Sequence, residues 1–399
     1  MSNTLRVRQS DLVGVMESAV IVATGTTDTL KGHAFLRPRD DGGAEILVSN
    51  GQTVARLPIR GATRDSDQGF TFPARYLGQL LKLIDANAEV ELTHTTEDES
   101  VLVTINGKKT GKTVLRSLDI DEFGVFDKKL AEVDAKGWNT FSLSRLLSGM
   151  QFVRDFISDD KEQKDLNMAA CEGEVLKASN INVYAMVKFG GLNASFNIPR
   201  HEVAGFVNFL QRHKENAADE VEIGHAKSMT FFRIGEDVFG FARIAAAFPK
   251  IKASIDPTDE ETDHWMIDVK VTQETLQKVG VGQKLDETYT DVQITDEVIT
   301  FTSDSEVNKR TNQWDADVRE TIAGGEEPVT FSIRRENLRD AVGRMSSNRN
   351  ISMRVKHEGR GHYVRLTDKR PVGKDKDGED VFDTYHALIP IRPRGHRDL

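Results

Sequence analysis

The chain has 399 residues, with 53 lysines and arginines against 63 aspartates and glutamates, a formal charge of −10 and a pI near 5.6. That length accommodates several domains with cores of their own, and the acidic balance excludes a protein that coats nucleic acid through overall basicity. A single cysteine, Cys171, excludes an internal disulfide and a cysteine-rich zinc site, and no run approaches the roughly 20 apolar residues of a membrane span, so a soluble, intracellular protein is expected.

In chain order, Leu5–Val7 has the pattern of a strand, and Ser10 caps a helix with Leu12, Val15, Met16, Ala19 and Val20 on one face. Strands follow at Ala34–Leu36, Glu45–Ser49 and Thr53–Pro58, separated by Asp40-Asp41-Gly42-Gly43 and Asn50-Gly51 turns. Phe70 and Phe72 lead through Pro73 into a helix with Leu77, Leu80, Leu81 and Ile84 at i, i+3, i+4, i+7. Ala88–Thr93, Ser100–Ile105 and Thr113–Ser117 are strands, and the charged, aperiodic stretch Phe126–Gly137 has the character of a linker.

From Thr140 the plan starts again. FSLSRLLSGMQFV echoes VRQSDLVGVMESA, and strands follow at Met168–Cys171, Val175–Ala178 and Val183–Phe189. Pro199 opens a helix with Val203, Phe206, Val207 and Leu210 on one face, and Val221–Gly224, Met229–Ile234 and Val238–Ala242 are strands. Asp256–Asp263 is an acidic linker. A third round opens near Met266, with a helix from Thr272 that Gly280 and Gly282 shorten. Strands at Val292–Ile294 and Val298–Ser303 precede a helix carrying Leu338, Ala341, Val342 and Met345, and Ile351–Val355, Tyr363–Leu366 and Ala387–Ile391 close the chain around a polar loop, Lys369–Glu379.

The organising feature is a repeat. Phe70–Ile84, Phe196–Leu210 and Phe331–Met345 are the same strand–helix piece, 126 and 135 residues apart. The expectation is an α+β chain of three tandem similar domains, 1–128, 129–260 and 261–399, each with two helices on antiparallel sheets. The six expected helices, 10–24, 73–87, 144–158, 199–215, 272–285 and 334–349, together carry +5 in a chain of −10. Arg75, Gln79 and Lys82, then Arg145 and Arg154, His201, Asn208 and Arg212, Lys278, and Arg335, Arg339 and Arg344 are candidates for a phosphate-binding surface. Solvated helix faces often hold such residues without binding anything. With no zinc finger, helix-turn-helix or aromatic stacking strip, any such contact would position a duplex without reading its sequence.

Several segments, in this order, resemble the bacterial-type DNA sliding clamp, the beta subunit of the replicative DNA polymerase. Besides the repeats they are DLNMAACEGEVLKASNINVYAM (Asp165–Met186), RIAAAFPKIKASI (Arg243–Ile255) and HALIPIRPR (His386–Arg394). The resemblance covers essentially the full length. It implies three-domain crescents that close head-to-tail into a homodimeric ring around duplex DNA, without catalytic residues or cofactor, in the cytoplasm of a bacterium or of a phage host. It also implies partners, the replicative polymerase and the clamp loader, and a peptide pocket at Leu166, Ser179, Ile181, Tyr184, Pro249, Ile389, Pro390 and Ile391. The subunit contact it implies pairs Thr113 and Leu115 with Val281 and Leu285. Ser179-Asn180-Ile181-Asn182-Val183-Tyr184-Ala185 departs from the family's pattern at the pocket floor, and the chain continues through Pro393–Leu399 past the usual end, as in a divergent or phage-encoded member.

Two other readings stay open. Gly107–Thr113, GKKTGKT, resembles a phosphate-binding loop but is one residue short and lies between strands, so a basic hairpin turn explains it better than a nucleotide-binding enzyme does. A clamp-fold scaffold with a non-replicative role is the other. The ten histidines show no metal-ligand spacing.

Overall fold

The computed structural model describes residues 2–23, 32–95, 97, 99–106, 111–117, 124–215, 219–243, 247–249, 263–281, 289–305, 310–324, 327–346, 349–356, 362–374 and 378–394. In chain order the elements are β1 (Ser2–Arg8), α1 (Gln9–Ala23), β2 (His33–Pro38), β3 (Ala44–Ser49), β4 (Thr53–Ile59), β5 (Thr63–Arg64), β6 (Phe70–Pro73), α2 (Ala74–Leu81), β7 (Glu89–Thr95), β8 (Ser100–Asn106), β9 (Gly111–Arg116) and α3 (Gly124–Lys136). Then come β10 (Asn139–Ser142), α4 (Leu143–Arg154), β11 (Met168–Gly173), β12 (Val175–Ser179), β13 (Tyr184–Lys188), β14 (Ala194–Pro199), α5 (Arg200–His213), β15 (Glu220–His225), β16 (Met229–Ile234) and β17 (Asp237–Ala242). The rest are β18 (Asp263–Asp268), α6 (Val269–Val279), β19 (Tyr289–Ile294), β20 (Val298–Ser305), β21 (Arg310–Ala323), β22 (Val329–Arg334), α7 (Arg335–Gly343), β23 (Asn350–Lys356), β24 (Tyr363–Lys374) and β25 (Asp380–Arg392). The class is α+β, as expected.

Chain contacts gather into two compact units, Met1–Leu147 with Phe196–Ala245, and Ser148–Ser195 with Ala246–Leu399. Unit 1 holds a five-stranded sheet, β5-β1-β7-β8-β9, and an eight-stranded one, β10-β15-β16-β17-β4-β3-β2-β6. Unit 2 carries the strand order β11-β12-β13-β25-β22-β19-β20-β21-β18-β23-β24. The neighbours pair antiparallel, as between β17 and β4, where Val238 stands opposite Arg56.

The helix spacing translates directly into packing. Val203, Phe206, Val207 and Leu210 of α5 are all buried. Phe206 lies 4.5 Å from Phe232 and 5.3 Å, edge-on, from Phe241, ring centroid to centroid. Edge-to-face and tilted pairs of this kind add specificity to a large apolar burial. Leu338, Ala341, Val342 and Met345 are likewise buried under α7. The second helix is shorter than its pattern: α2 stops at Leu81, Lys82 caps it, and Leu83 and Asp85 lie exposed beyond.

Two expectations fail, and one strand goes unforeseen. The charged stretch read as a linker forms helix α3. Its Leu130 and Val133 pack on Phe35, Leu47, Val54, Phe231 and Val238, and Trp138 joins them. Gly137 ends it at φ +91° with its N–H on the Val133 carbonyl at 2.9 Å, a left-handed stop that favours glycine. The polar loop is strand through Lys374, because β24 and β25 form one long hairpin from Tyr363↔Pro390 out to Lys374↔Asp380. The 14-residue strand β21 answers to nothing in the pattern. Its apolar residues are too sparse to alternate cleanly, and its register comes from β20 on one half and β18 on the other. Residues 107–110 of GKKTGKT, 256–262 of the acidic linker and 395–399 of the tail lie outside the described residues; Gly111–Thr113 open strand β9.

Candidate functional site

In unit 1 three helices come together: α1 packs against both α2 and α5. The approach is close because small residues sit at the crossings. A Cβ on Gly78 would meet Val20 Cγ2 at 2.6 Å, and one on Gly205 would meet Ile21 Cγ2 at 2.2 Å. Between them lies a crevice of about 720 Å³. It gathers five of the predicted residues, Arg75, Gln79, Lys82, Asn208 and Arg212, at one place. Arg75 is exposed and makes no hydrogen bond or ion pair with a described residue. Lys82 meets Glu17 at 3.1 Å, with both side chains mostly in solvent, a pair of small energy. Arg212 is half-buried, donates to Ser18 Oγ at 3.1 Å and lies 3.8 Å from Asp237; burial lowers its pKa while Asp237 supports its charge. His201 is exposed beside Glu202, 3.5 Å away. Arg145 stacks over the Phe141 ring at 4.8 Å.

The helices of unit 2 present a different surface. A cavity of about 570 Å³ is lined by the carboxamides Asn180, Gln273, Gln277 and Asn337 with Arg339 and Arg344. Here each arginine already has an aspartate. Arg339 donates to Asp340 at 2.9 Å and 3.0 Å, Arg154 to Asp155 at 3.0 Å, and Arg344 pairs with that same Asp155. Lys278 lies 5.2 Å above the Trp314 ring. Arg335 is buried, packed where a Cβ on Gly280 would sit, and desolvation lowers its pKa. It packs at the α6–α7 contact and is the most enclosed of the helix candidates in unit 2.

The expected pocket residues all fall in unit 2. Tyr184 stands opposite Leu388 across β13 and β25, and its ring is 6.2 Å from that of Phe248. Burial, then Glu172, pushes its phenol up to about 12. Lys177 lies 5.1 Å above Phe248 and is tied to Glu172 at 2.8 Å. Ser179 Oγ accepts from the Ile181 N–H at 3.2 Å, and Asn180 Oδ1 from Val183 at 2.8 Å, which holds the turn. In that turn Ile181 takes φ +75° and is 55% exposed, an unfavourable conformation for a β-branched residue. Leu166 is half-buried and Pro249 exposed. Strand alternation puts Leu388 and Pro390 on the face of Tyr184, and the buried Ile389 and Ile391 on the opposite face. The face beside Tyr184 therefore carries Leu388 and Pro390, with Phe248 against the Tyr184 ring. Leu388 escaped the pattern because only strand register reveals its face.

Of the predicted subunit contacts, Leu115 is buried and Thr113 half-buried, while Val114 between them is 65% exposed on the edge strand β9. Val281 is 71% exposed, and Leu285 lies outside the described residues. Trp314, which the sequence reading passed over, is 45% exposed near Val281, whose carbonyl accepts from Asn312 at 2.9 Å.

No protein-family model matches the chain, and no curated protein matches it. Solved structures do. The DNA polymerase sliding clamp of Bacillus subtilis superposes with a TM-score of 0.78 at 15% identity, over 100% of both chains. The Caulobacter crescentus beta sliding clamp gives 0.77 at 15% identity, over 98% of this chain and 99% of that one. The DNA polymerase III beta subunit of Thermotoga maritima gives 0.76 at 16%, over 100% of both. The fold is that of the bacterial sliding clamps. Such a clamp fold holds its form at this identity because the buried helix faces and antiparallel registers specify it, while the surface is free to change. Among the described residues, no three or more His, Cys, Asp or Glu side chains gather as a metal site, and no helix is long and apolar enough to cross a membrane.

Proposed function

We propose that the protein is a DNA polymerase processivity factor: a homodimeric ring of three-domain chains that encircles duplex DNA and tethers a replicative polymerase, loaded by a clamp loader. The observation that carries this reading is the full-length clamp fold together with the crevice that gathers Arg75, Lys82 and Arg212 on adjoining helices. A chain of −10 with such a local cationic surface suits loose phosphate contact, which positions a duplex and lets it slide. The apolar face around Tyr184, Phe248 and Pro390 suits a short extended peptide with an apolar end, the means by which partners would be held.

Ring closure would use the exposed edge of β9 around Val114 on one chain and the Val281–Trp314 surface on another. An unpaired strand edge and an exposed tryptophan are what a subunit contact covers. Sedimentation equilibrium tests this. A particle of twice the 44.5 kDa chain mass is expected at micromolar concentration, and Trp314→Glu should shift it to the single-chain mass. A wild-type chain that stays monomeric would count against a closed ring.

A further inference from the structure

One face of the eight-stranded sheet carries a row of charges beside α3. Three of its arginines are each held by two carboxylates. Arg37 reaches Glu45 and Asp127, both at 2.5 Å. Arg39 grips Glu236 through both terminal nitrogens, at 2.9 and 3.1 Å, and meets Asp41 at 2.9 Å. Arg233 holds Glu222 at 2.6 and 2.9 Å and lies 3.6 Å from Asp134. Arg56, in the midst of them on β4, has nothing comparable. The residues opposite it are Leu47 and Val238, which offer no side-chain acceptor. Arg56 is half-buried, its Nε is sealed from solvent, and it makes no hydrogen bond or ion pair with a described residue, its charge acting on Glu236 only through space. It lines an open cavity of about 860 Å³ with the other three arginines, Pro38 and Pro58.

A partly buried guanidinium left without an acceptor is unfavourable, and the group that satisfies it best is a carboxylate taken through two parallel N–H bonds. The carboxylates Glu45, Glu222 and Glu236 in the cavity are engaged by other arginines, which leaves Arg56 as the cavity arginine that holds no carboxylate in a hydrogen bond among the described residues. The acidic lining also sets the charge of an incoming group. A phosphate would bring two charges against the five carboxylates that line the cavity, whereas one carboxylate brings a single charge. The prolines give its methylenes an apolar wall. We infer that Arg56 anchors a site for one carboxylate, the side chain of an aspartate or glutamate on a partner polypeptide docked against this sheet face. This site shares no lining residue with the helix crevice, and it does not depend on DNA encirclement.

The test is NMR of the arginine Nε–Hε signals in the full chain, with the Arg56 signal assigned by its disappearance in Arg56→Met. Acetyl-Ala-Glu-Ala-amide, its glutamine counterpart and inorganic phosphate are titrated at fixed ionic strength. The glutamate peptide should move the Arg56 signal saturably, in the millimolar range expected of one charged contact. The glutamine peptide should leave it in place, and phosphate should bind more weakly than the glutamate peptide. Arg56→Met should melt close to the wild type, since Arg56 holds no carboxylate in a hydrogen bond and acts on Glu236 only through space. Failure of the glutamate peptide to move the signal, equal movement by the glutamine peptide, tighter binding of phosphate, or a clearly lower melting temperature for Arg56→Met would each overturn the assignment.

Discussion

Asp268 shows how one residue fixes the start of a helix. It is the N-cap of α6, and its carboxylate accepts from the Val271 N–H at 2.9 Å and pairs with Arg319 at 3.0 Å. The backbone hydrogen bond, then Arg319, lowers its pKa. A carboxylate depressed in the folded state contributes stability above its unfolded pKa, and that contribution is lost as pH falls through the folded value. Asp268→Ala should therefore destabilise the chain by about 1 kcal/mol at neutral pH. The difference should shrink as pH drops below the ordinary aspartate value of about 3.9. Urea midpoints at pH 7 and pH 3 check it; an equal difference at both would show that the cap charge contributes nothing. Residue by residue, periodicity named the buried side of each repeated helix correctly, Leu77, Phe206 and Leu338 among them. It could not name Arg335 as buried, Ile181 as held at positive φ or the Arg56 Nε as lacking a hydrogen-bond partner among the described residues, because each depends on neighbours far away in sequence.

At the scale of elements, the two helix surfaces differ in what they can offer a phosphate. Arg75 and Lys82 are exposed and lightly held, whereas Arg339 pairs with Asp340 and Arg344 shares Asp155 with Arg154. An arginine already paired releases fewer counterions when a duplex approaches. Arg75→Glu with Lys82→Glu should weaken duplex association about tenfold or more and lower the slope of log affinity against log salt by about 2. Arg339→Gln with Arg344→Gln should change association by less than about threefold. Fluorescence anisotropy across a salt series separates them, and equal effects from the two pairs would contradict the assigned difference. Elements were legible where apolar spacing was dense. Helix α3 was not, because Leu130 and Val133 are its only described buried side chains and charges surround them. The signal present was the Lys136-Gly137 stop at its end. Strand β21 and the outer half of the β24–β25 hairpin are polar on their open sides, so partner strands, not composition, make them strands.

For the whole molecule, three strand–helix pieces of one pattern recur as β6–α2, β14–α5 and β22–α7. Repetition at near-equal spacing was the strongest signal in the chain, and the clamp fold that it pointed to is the fold observed. In the proposed ring, function would rest on topology more than affinity. A closed ring needs only weak, sliding contacts, since it leaves DNA by opening or by running off an end. The direct measurement is retention on a nicked circular duplex, loaded with the loader from the same source, before and after one cut that linearises it. The account predicts that the protein stays with the circle through gel filtration and is lost on linearisation. Equal retention on circle and line, or none on either after loading, would contradict encirclement.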